Sequence, residues 1–173
     1  RKQGITALET LIISHPDNDH SAGAATLLGL LPVSRYRFGG QSVAAGSGGL
    51  PCRAGEAWRW PSGETFQFLA PAAEAGLSSN DVSCVLQIEV AGKRILLPGD
   101  VSASRERALV AYWGDTLASD WLLAAHHGSR SSSSWAFLKA VKPAGVLFSH
   151  GYGNHFGHPH PEVVERARQL AAD

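Results

Sequence analysis

Four side chains able to bind a metal ion fall within six consecutive residues: His15, Asp17, Asp19 and His20, in the run Ser14-His15-Pro16-Asp17-Asn18-Asp19-His20. Imidazole nitrogens and carboxylate oxygens are the ligands that hydrolytic metals use. In a loop leaving a strand, residues i and i+2 can face one way while i+4 and i+5 turn another. That spacing suits two neighbouring cations better than one. Asp100 follows Pro98-Gly99, and His126-His127 lead into Gly128-Ser129. Asp100, held at a strand end by Gly99, is the natural bridge between two cations, and His126 would complete the second site. A solvated, Asx-rich surface loop would account for any one of these runs. Recurrence of the same residue types after three separate apolar segments points instead to a metal site.

Those apolar segments are short: Leu11-Ile12-Ile13, Ile95-Leu96-Leu97 and Leu122-Leu123-Ala124-Ala125. Runs of this length bounded by Gly or Pro read as buried strands. In an α/β sheet, ligands and catalytic groups gather beyond one end of the strands. The first strand is expected over Thr6 to Ile13, followed by an apolar helix from His20 to Leu31 that Pro32 stops. Gly39 to Gly49 is expected to be a flexible loop. Trp58, Trp60, Phe66 and Phe68 alternate on either side of Pro61-Ser62-Gly63, a hairpin whose aromatic rings belong to packed core. Val85 to Val90 and Ile95 to Leu97 form a second hairpin across Ala91-Gly92-Lys93. A helix capped by Ser102 or Ser104 should run to Trp113 and close at Gly114. Ser131 to Ser134 reads as the polar entry to a short helix over Trp135 to Val141. A buried strand over Gly145 to Phe148 follows, and then an amphipathic helix from Glu162 to Ala172, with Pro161 at its start. The order is α/β with a mixed sheet, and no solenoid repeat is present.

A length of 173 residues suits a single domain, 1–173, with a substantial core. The longest apolar stretch, Ala24 to Val33, falls well short of the roughly 20 residues needed to cross a bilayer. The chain opens on Arg1-Lys2-Gln3-Gly4, without Met and without a signal-peptide pattern, and reads as a portion of something longer. The formal net charge is zero, so composition gives no support to gripping nucleic acid through counterion release. Bound cations would supply positive charge at a phosphate without a basic protein surface. Cys52 and Cys84 belong to no CxxC pair and are expected to be buried structural thiols, with a disulfide requiring an oxidising compartment.

The metal-ligand run resembles that of the metallo-β-lactamase-fold hydrolases, whose first motif is His-x-His-x-Asp-His, with Asp17 at the second histidine. In the form Ser-His-Pro-Asp-x-Asp-His it is similar to the β-lactamase-like domain of ComEC-type DNA-internalisation proteins of bacterial competence. Further stretches carry the same likeness: Cys52-x-x-Gly55-x-x-Trp58-x-Trp60 with Phe66, Asn80-Asp81-x-Ser83-Cys84-Val85-Leu86, and Leu96-Leu97-Pro98-Gly99-Asp100. So do His126-His127-Gly128-Ser129-Arg130 and Ser149-x-Gly151-x-x-Asn154-x-x-Gly157-His158-Pro159. The resemblance runs from about Gly4 to the end of the chain.

The resemblance implies an αββα sandwich with a two-metal site at one edge, here without the family's N-terminal strands. Carried over position by position, His15 and Asp17 would hold the first metal. Asp19, His20 and His126 would hold the second, with Asp100 between them. The third motif should fall near Asn80-Asp81, where no histidine stands. With Asp17 also replacing a histidine, the site is oxygen-rich and favours Mn²⁺ or Mg²⁺, with Zn²⁺ as the alternative. Asp19 would assist deprotonation of an attacking water, and Asp100 would share in catalysis. Ser129, Arg130, Asn154 and His158 would contact phosphate or leaving group. His127, beside a ligand, would either support it or take part. The implied function is that of a metal-dependent nuclease or phosphodiesterase acting on DNA in natural transformation, tethered to the membrane by the channel portion of the same polypeptide. The side of the membrane is left open. Two other readings remain: hydrolysis of another ester, such as a phosphorylcholine ester, and a non-catalytic domain that guides DNA through the channel.

Overall fold

The computed structural model describes residues 4–42, 48–70 and 76–170. Along them run β1 (Leu8–Ile13), α1 (Asn18–Ser21), α2 (Ala24–Leu30), β2 (Val33–Phe38), β3 (Leu50–Pro51), β4 (Ala57–Arg59), β5 (Thr65–Ala70), β6 (Val85–Val90), β7 (Lys93–Leu97), α3 (Ala103–Trp113), β8 (Trp121–Leu123), α4 (Trp135–Val141), β9 (Gly145–Leu147) and α5 (Pro161–Leu170). Two 3-10 turns, Gly114–Leu117 and Ala125–Gly128, flank β8. The strands form two sheets. One is three-stranded in the order β1-β2-β3 and parallel throughout; the other is six-stranded in the order β4-β5-β6-β7-β8-β9. The larger sheet is mixed: antiparallel from β4 to β7, parallel from β7 to β9.

Side-chain alternation sets the layers, because successive residues of a strand face opposite ways. Ile12 of β1 faces the larger sheet and packs with Trp58, Phe66, Phe68, Leu86, Ile88 and Leu97 between the two sheets. Its neighbours Leu11 and Ile13 turn outward, where with Val33 and Tyr36 they pack against Ala24 and Leu28 of α2. On the far side, Val85, Leu96 and Leu122 meet Leu109 of α3 and Phe137, Leu138 and Val141 of α4. The result is the αββα sandwich that the resemblance implies. Phe68 and Phe137 are fully buried, each burial contributing about 1.5–3 kcal/mol.

Both hairpins form across the expected turns. Ser102 caps α3 by accepting from the Arg105 amide, and Gly114 closes it at φ 48°. Ser134 caps α4 by accepting from Phe137, which fits the polar entry expected at Ser131 to Ser134. That entry is held from behind by buried Glu106, whose carboxylate accepts from the Ser133 and Ser134 amides. Burial pushes the Glu106 carboxyl up, against those hydrogen bonds.

Four points differ from the sequence reading. The first strand begins at Leu8 rather than Thr6. The single helix expected from His20 to Leu31 is two, broken around Ala22-Gly23. β2 and β3 were not anticipated. Cys52 and Cys84 are not free thiols: they form a disulfide with Cα atoms 5.7 Å apart. The chain leaving β3 and the chain entering β6 meet between the sheets, which brings together two cysteines that sequence leaves unrelated. Residues 43–47 of the expected loop and the end of the last helix, at 171 and 172, lie outside the described residues.

Candidate metal centre

Three strand ends converge on one edge of the sandwich. Beyond β1 lie Ser14 to Asp19 and α1; beyond β7 lies Pro98-Gly99-Asp100; beyond β8 lies the 3-10 turn Ala125–Gly128. Backbone hydrogen bonds tie these ends together, from Cys84 N to Ser14 O at 2.8 Å and from His126 N to Gly99 O at 3.0 Å. Gly99 has φ 62°, and a Cβ there would meet Ser83 Cβ at 2.7 Å. Only glycine permits both the turn and the close approach.

His15, fully buried, and Asp100, 4% exposed, form the inner part of the cluster. His20 Nε2 lies 3.3 Å from Asp100 Oδ1. His15 Nε2 lies 3.6 Å from Asp17 Oδ2 and 3.8 Å from Asp100 Oδ2. At the outer rim, His127 Nε2 stands 3.1 Å from His20 Nε2, 3.3 Å from Asp19 Oδ2 and 3.5 Å from Asp100 Oδ2. Two sets of potential ligands result, His15-His20-Asp100 and Asp19-His20-His127, each with its ligand atoms within 4.8 Å of one another.

These residues fit metal ions on an observation of their own. His15 Nε2 is buried and has no hydrogen-bond partner. Buried polar atoms are nearly always satisfied, and an orphan costs about 1–3 kcal/mol. Here the orphan faces two carboxylates at distances too long for hydrogen bonds, an arrangement that a shared cation would satisfy. The electrostatics agree. Burial, and then the charge of His20, hold the His15 pKa below its ordinary value, which keeps the ring neutral as a ligand must be. Burial would lower His20 too, but the hydrogen bond and charge of Asp100 outweigh it and raise it. Burial alone would raise Asp100; the His20 hydrogen bond and the charges of His20, His127 and His15 bring it down.

The two adjacent histidines differ in placement from the expected one. His126 and His127 both have positive φ, 51° and 56°, so their rings splay, with centroids 6.3 Å apart. His127 enters the cluster, while His126 reaches Asp100 Oδ2 only at 3.8 Å and faces His158, ring centroids 5.9 Å apart. His127 Nδ1 donates to the Ser149 carbonyl at 2.8 Å, which leaves Nε2 bare toward the cluster.

The remaining expected residues divide. Asp17 faces His15 and accepts from Ser79 Oγ at 3.3 Å. At the expected third-motif position, the Asn80 carbonyl accepts from Ser83 Oγ, and Asp81 Oδ1 accepts from the Ser102 amide at the start of α3. A carboxylate is well placed there against the helix dipole. Asn154 holds its own loop, donating to Gly151 O and His158 O and accepting from His158 N, rather than facing outward as a phosphate contact. Ser129 Oγ pairs with Ser131 Oγ, and Arg130 is exposed. Burial and the neighbouring histidines His126 and His127 lower the His158 pKa. Sequence reasoning missed Ser14 and Ser83. Ser14 Oγ lies 3.1 Å from His15 Nδ1 and 2.9 Å from His20 Nδ1, and Ser83 Oγ lies 3.4 Å from His15 Nδ1. Their signal was their place in two of the stretches that carry the family likeness, Ser14 beside the first ligand and Ser83 beside Cys84.

The chain belongs to the metallo-β-lactamase superfamily, whose family model matches residues 1–151. Within it, the sequence is similar along almost its whole length to proteins named for competence and recombination. It is 36% identical to competence protein ComA of Neisseria gonorrhoeae over 165 residues, covering 95% of this chain and 23% of that protein. It is 35% identical to recombination protein 2 of Haemophilus influenzae over 172 residues, 96% of this chain and 20% of that one. To ComE operon protein 3 of Bacillus subtilis it is 29% identical, over 94% of this chain and 22% of that one. The chain thus spans between a fifth and a quarter of the length of these relatives. Among solved structures, the diiron β-hydroxylase CmlA of Streptomyces venezuelae shares the fold at a TM-score of 0.60 with 14% identity, over 97% of this chain and 42% of that one. A protein of Parabacteroides distasonis described as a metal-dependent hydrolase does so at 0.60 with 12% identity, over 99% of this chain and 76% of that one. Among the described residues, no helix is long and apolar enough to cross a membrane.

Proposed function

We propose that this domain hydrolyses phosphodiester bonds of DNA at a site holding two divalent cations, as part of a DNA-uptake system. The observation that carries the reading is the convergence of His15, His20, Asp19, Asp100 and His127 from three strand ends, with a buried imidazole nitrogen left unpartnered among carboxylates. His15, Asp17 and Asp100 would hold one cation. Asp19, His20 and His127 would hold the other, with Asp100 between them. In this assignment His127 takes the place first expected of His126. The competence names of the relatives support DNA as substrate, and the length of those relatives leaves room for a channel portion of the same polypeptide.

Bound cations would supply the Lewis acidity that activates water and neutralises a phosphate. Asp100, buried and ionised, fixes the centre of the site. Asp19, whose side chain is 65% exposed, faces the solvent side and is placed to take a proton from the attacking water. Arg130 and Ser129, on the turn after His127, are the groups available to a phosphate at the rim. With His127 in place of His126, the ligand set keeps three imidazoles, one beside Asp17 and Asp100 and two beside Asp19. The balance of oxygen and nitrogen ligands therefore stays as the sequence implied, with Mn²⁺ or Mg²⁺ favoured and Zn²⁺ the alternative. The disulfide supports a position on the oxidising side of the membrane, where such bonds persist.

The test is cleavage of single- and double-stranded DNA and of a small phosphodiester, with Mn²⁺, Mg²⁺ or Zn²⁺, for the protein and for Asp19→Ala. Metal-dependent cleavage of DNA that Asp19→Ala loses is expected. Cleavage of the small ester alone would redirect the reading to another substrate. No cleavage and no metal uptake would favour a DNA-guiding role.

A further inference from the structure

We propose that Ser83 is a positioning residue of the metal site, holding His15 in the one tautomer that can bind a cation while fixing Asp100 beside it. The inference rests on the metal reading above. Ser83 is fully buried, and its hydroxyl oxygen has three neighbours: Asn80 O at 2.6 Å, Asp100 N at 3.1 Å and His15 Nδ1 at 3.4 Å. A carbonyl only accepts, so the single hydroxyl proton goes to Asn80. A backbone amide only donates, so the oxygen accepts from Asp100. The third contact is then a hydrogen bond only if His15 Nδ1 is its donor. In a neutral imidazole, a proton on Nδ1 leaves the lone pair on Nε2. That nitrogen is the buried, unpartnered atom facing the carboxylates of Asp17 and Asp100.

Ser14 cannot make this choice by itself. Its hydroxyl lies between His15 Nδ1 and His20 Nδ1, at 3.1 and 2.9 Å, and its proton can go to either ring. The Ser83 proton has no such freedom, because Asn80 takes it. Gly99 completes the device: a side chain there would strike Ser83 Cβ at 2.7 Å and Oγ at 2.8 Å, so its absence lets the hydroxyl sit beneath the Asp100 amide. The segment from Asn80 to Ser83 thus gives the site an orienting hydroxyl in place of a ligand.

The test is a long-range ¹H–¹⁵N correlation spectrum of the metal-free protein, labelled with ¹⁵N at histidine, near neutral pH. His15 is expected to carry its proton on Nδ1 with Nε2 bare. Ser83→Ala should lose this fixed pattern and weaken Zn²⁺ binding, measured by chelator competition, tenfold or more, the scale on which such outer partners act. Ser14→Ala should keep the His15 pattern. A wild-type His15 protonated on Nε2 would overturn the proposal, as would Ser83→Ala with unchanged tautomer and Zn²⁺ affinity. Should Ser83→Ala fail to fold, Ser14→Ala decides: a His15 that keeps its proton on Nδ1 without the Ser14 hydroxyl supports the proposal, and one that loses it overturns the proposal. A wild-type protein that takes up no Zn²⁺ would count against the metal reading only, since the spectra of the Ser83 and Ser14 variants read the role of Ser83 without metal.

Discussion

The Nε2 atoms of His20 and His127 face each other at 3.1 Å across turns that are 107 residues apart in the chain. His127 is locked from behind by the Ser149 carbonyl, so its bare nitrogen points at His20 and at Asp19. In the proposed two-cation site, these two nitrogens and the Asp19 carboxylate would hold one ion. His127→Ala should therefore weaken uptake of a divalent cation by tenfold or more in a competitive titration. His126→Ala, at a residue that reaches only Asp100, should weaken it less. Equal effects would return His126 to the ligand set.

The inner ligands should be less forgiving than the outer ones. Asp100 is buried and stands near His15, His20, His126 and His127. Asp100→Asn should abolish uptake of both cations, read as metal per protein after dialysis. Asp19→Ala should leave at least one cation bound but lower cleavage by about 10²–10⁴-fold, the usual range for loss of a general base.

The disulfide joins the two sheets just behind this site. Cys84 follows Ser83, and its amide donates to the Ser14 carbonyl. Replacing both cysteines with alanine should cost about 2–4 kcal/mol in denaturant unfolding. It should also loosen metal binding. Intact protein should show no alkylatable thiol until reduced.

Gly128 is where the His126-His127 turn meets the loop that follows β9. It has φ 84°, and an added Cβ would meet Phe148 and Pro159 at 2.8 Å each. Gly128→Ala combines a strained backbone with overpacking and should destabilise by about 2 kcal/mol or more. A change below half a kcal/mol would contradict this packing.

Asp120 reports on acid stability away from the site. Its carboxylate takes a hydrogen bond from Lys93 Nζ at 2.6 Å and another from the Arg94 amide at 2.9 Å, and these contacts lower its pKa from the ordinary 3.8. A carboxyl depressed by folding contributes stability above its unfolded pKa and loses it as pH falls through the lower folded one. Asp120→Asn should therefore destabilise at neutral pH and flatten the fall in stability below about pH 4. An unchanged acid limb would show that the pair contributes nothing.

Much of this was legible in the sequence, for physical reasons that can be named. Period-two aromatics over Trp58 to Phe68 could only be a half-buried hairpin, and Ser102, Gly114 and Ser134 are local signals with local consequences. β2 was passed over because Val33-Ser34-Arg35-Tyr36-Arg37-Phe38 mixes arginines into its alternation; Arg35 lies over the Trp58 ring and Arg37 pairs with Glu56. The ligand types were evident at Asp19, His20 and Asp100. Which of His126 and His127 turns toward Asp19 and His20 was not, because it depends on two consecutive positive φ angles that spacing does not reveal. Ser14, Ser83 and the disulfide depend on which strands become neighbours, and that is a property of the fold.

Metal content bears most directly on the account. After exposure to Mn²⁺ or Zn²⁺ and removal of excess, elemental analysis of the protein should find two divalent ions per chain. Asp100→Asn should then hold none. A protein that retains no divalent ion, or one whose bound metal is indifferent to Asp100, would contradict the two-cation site.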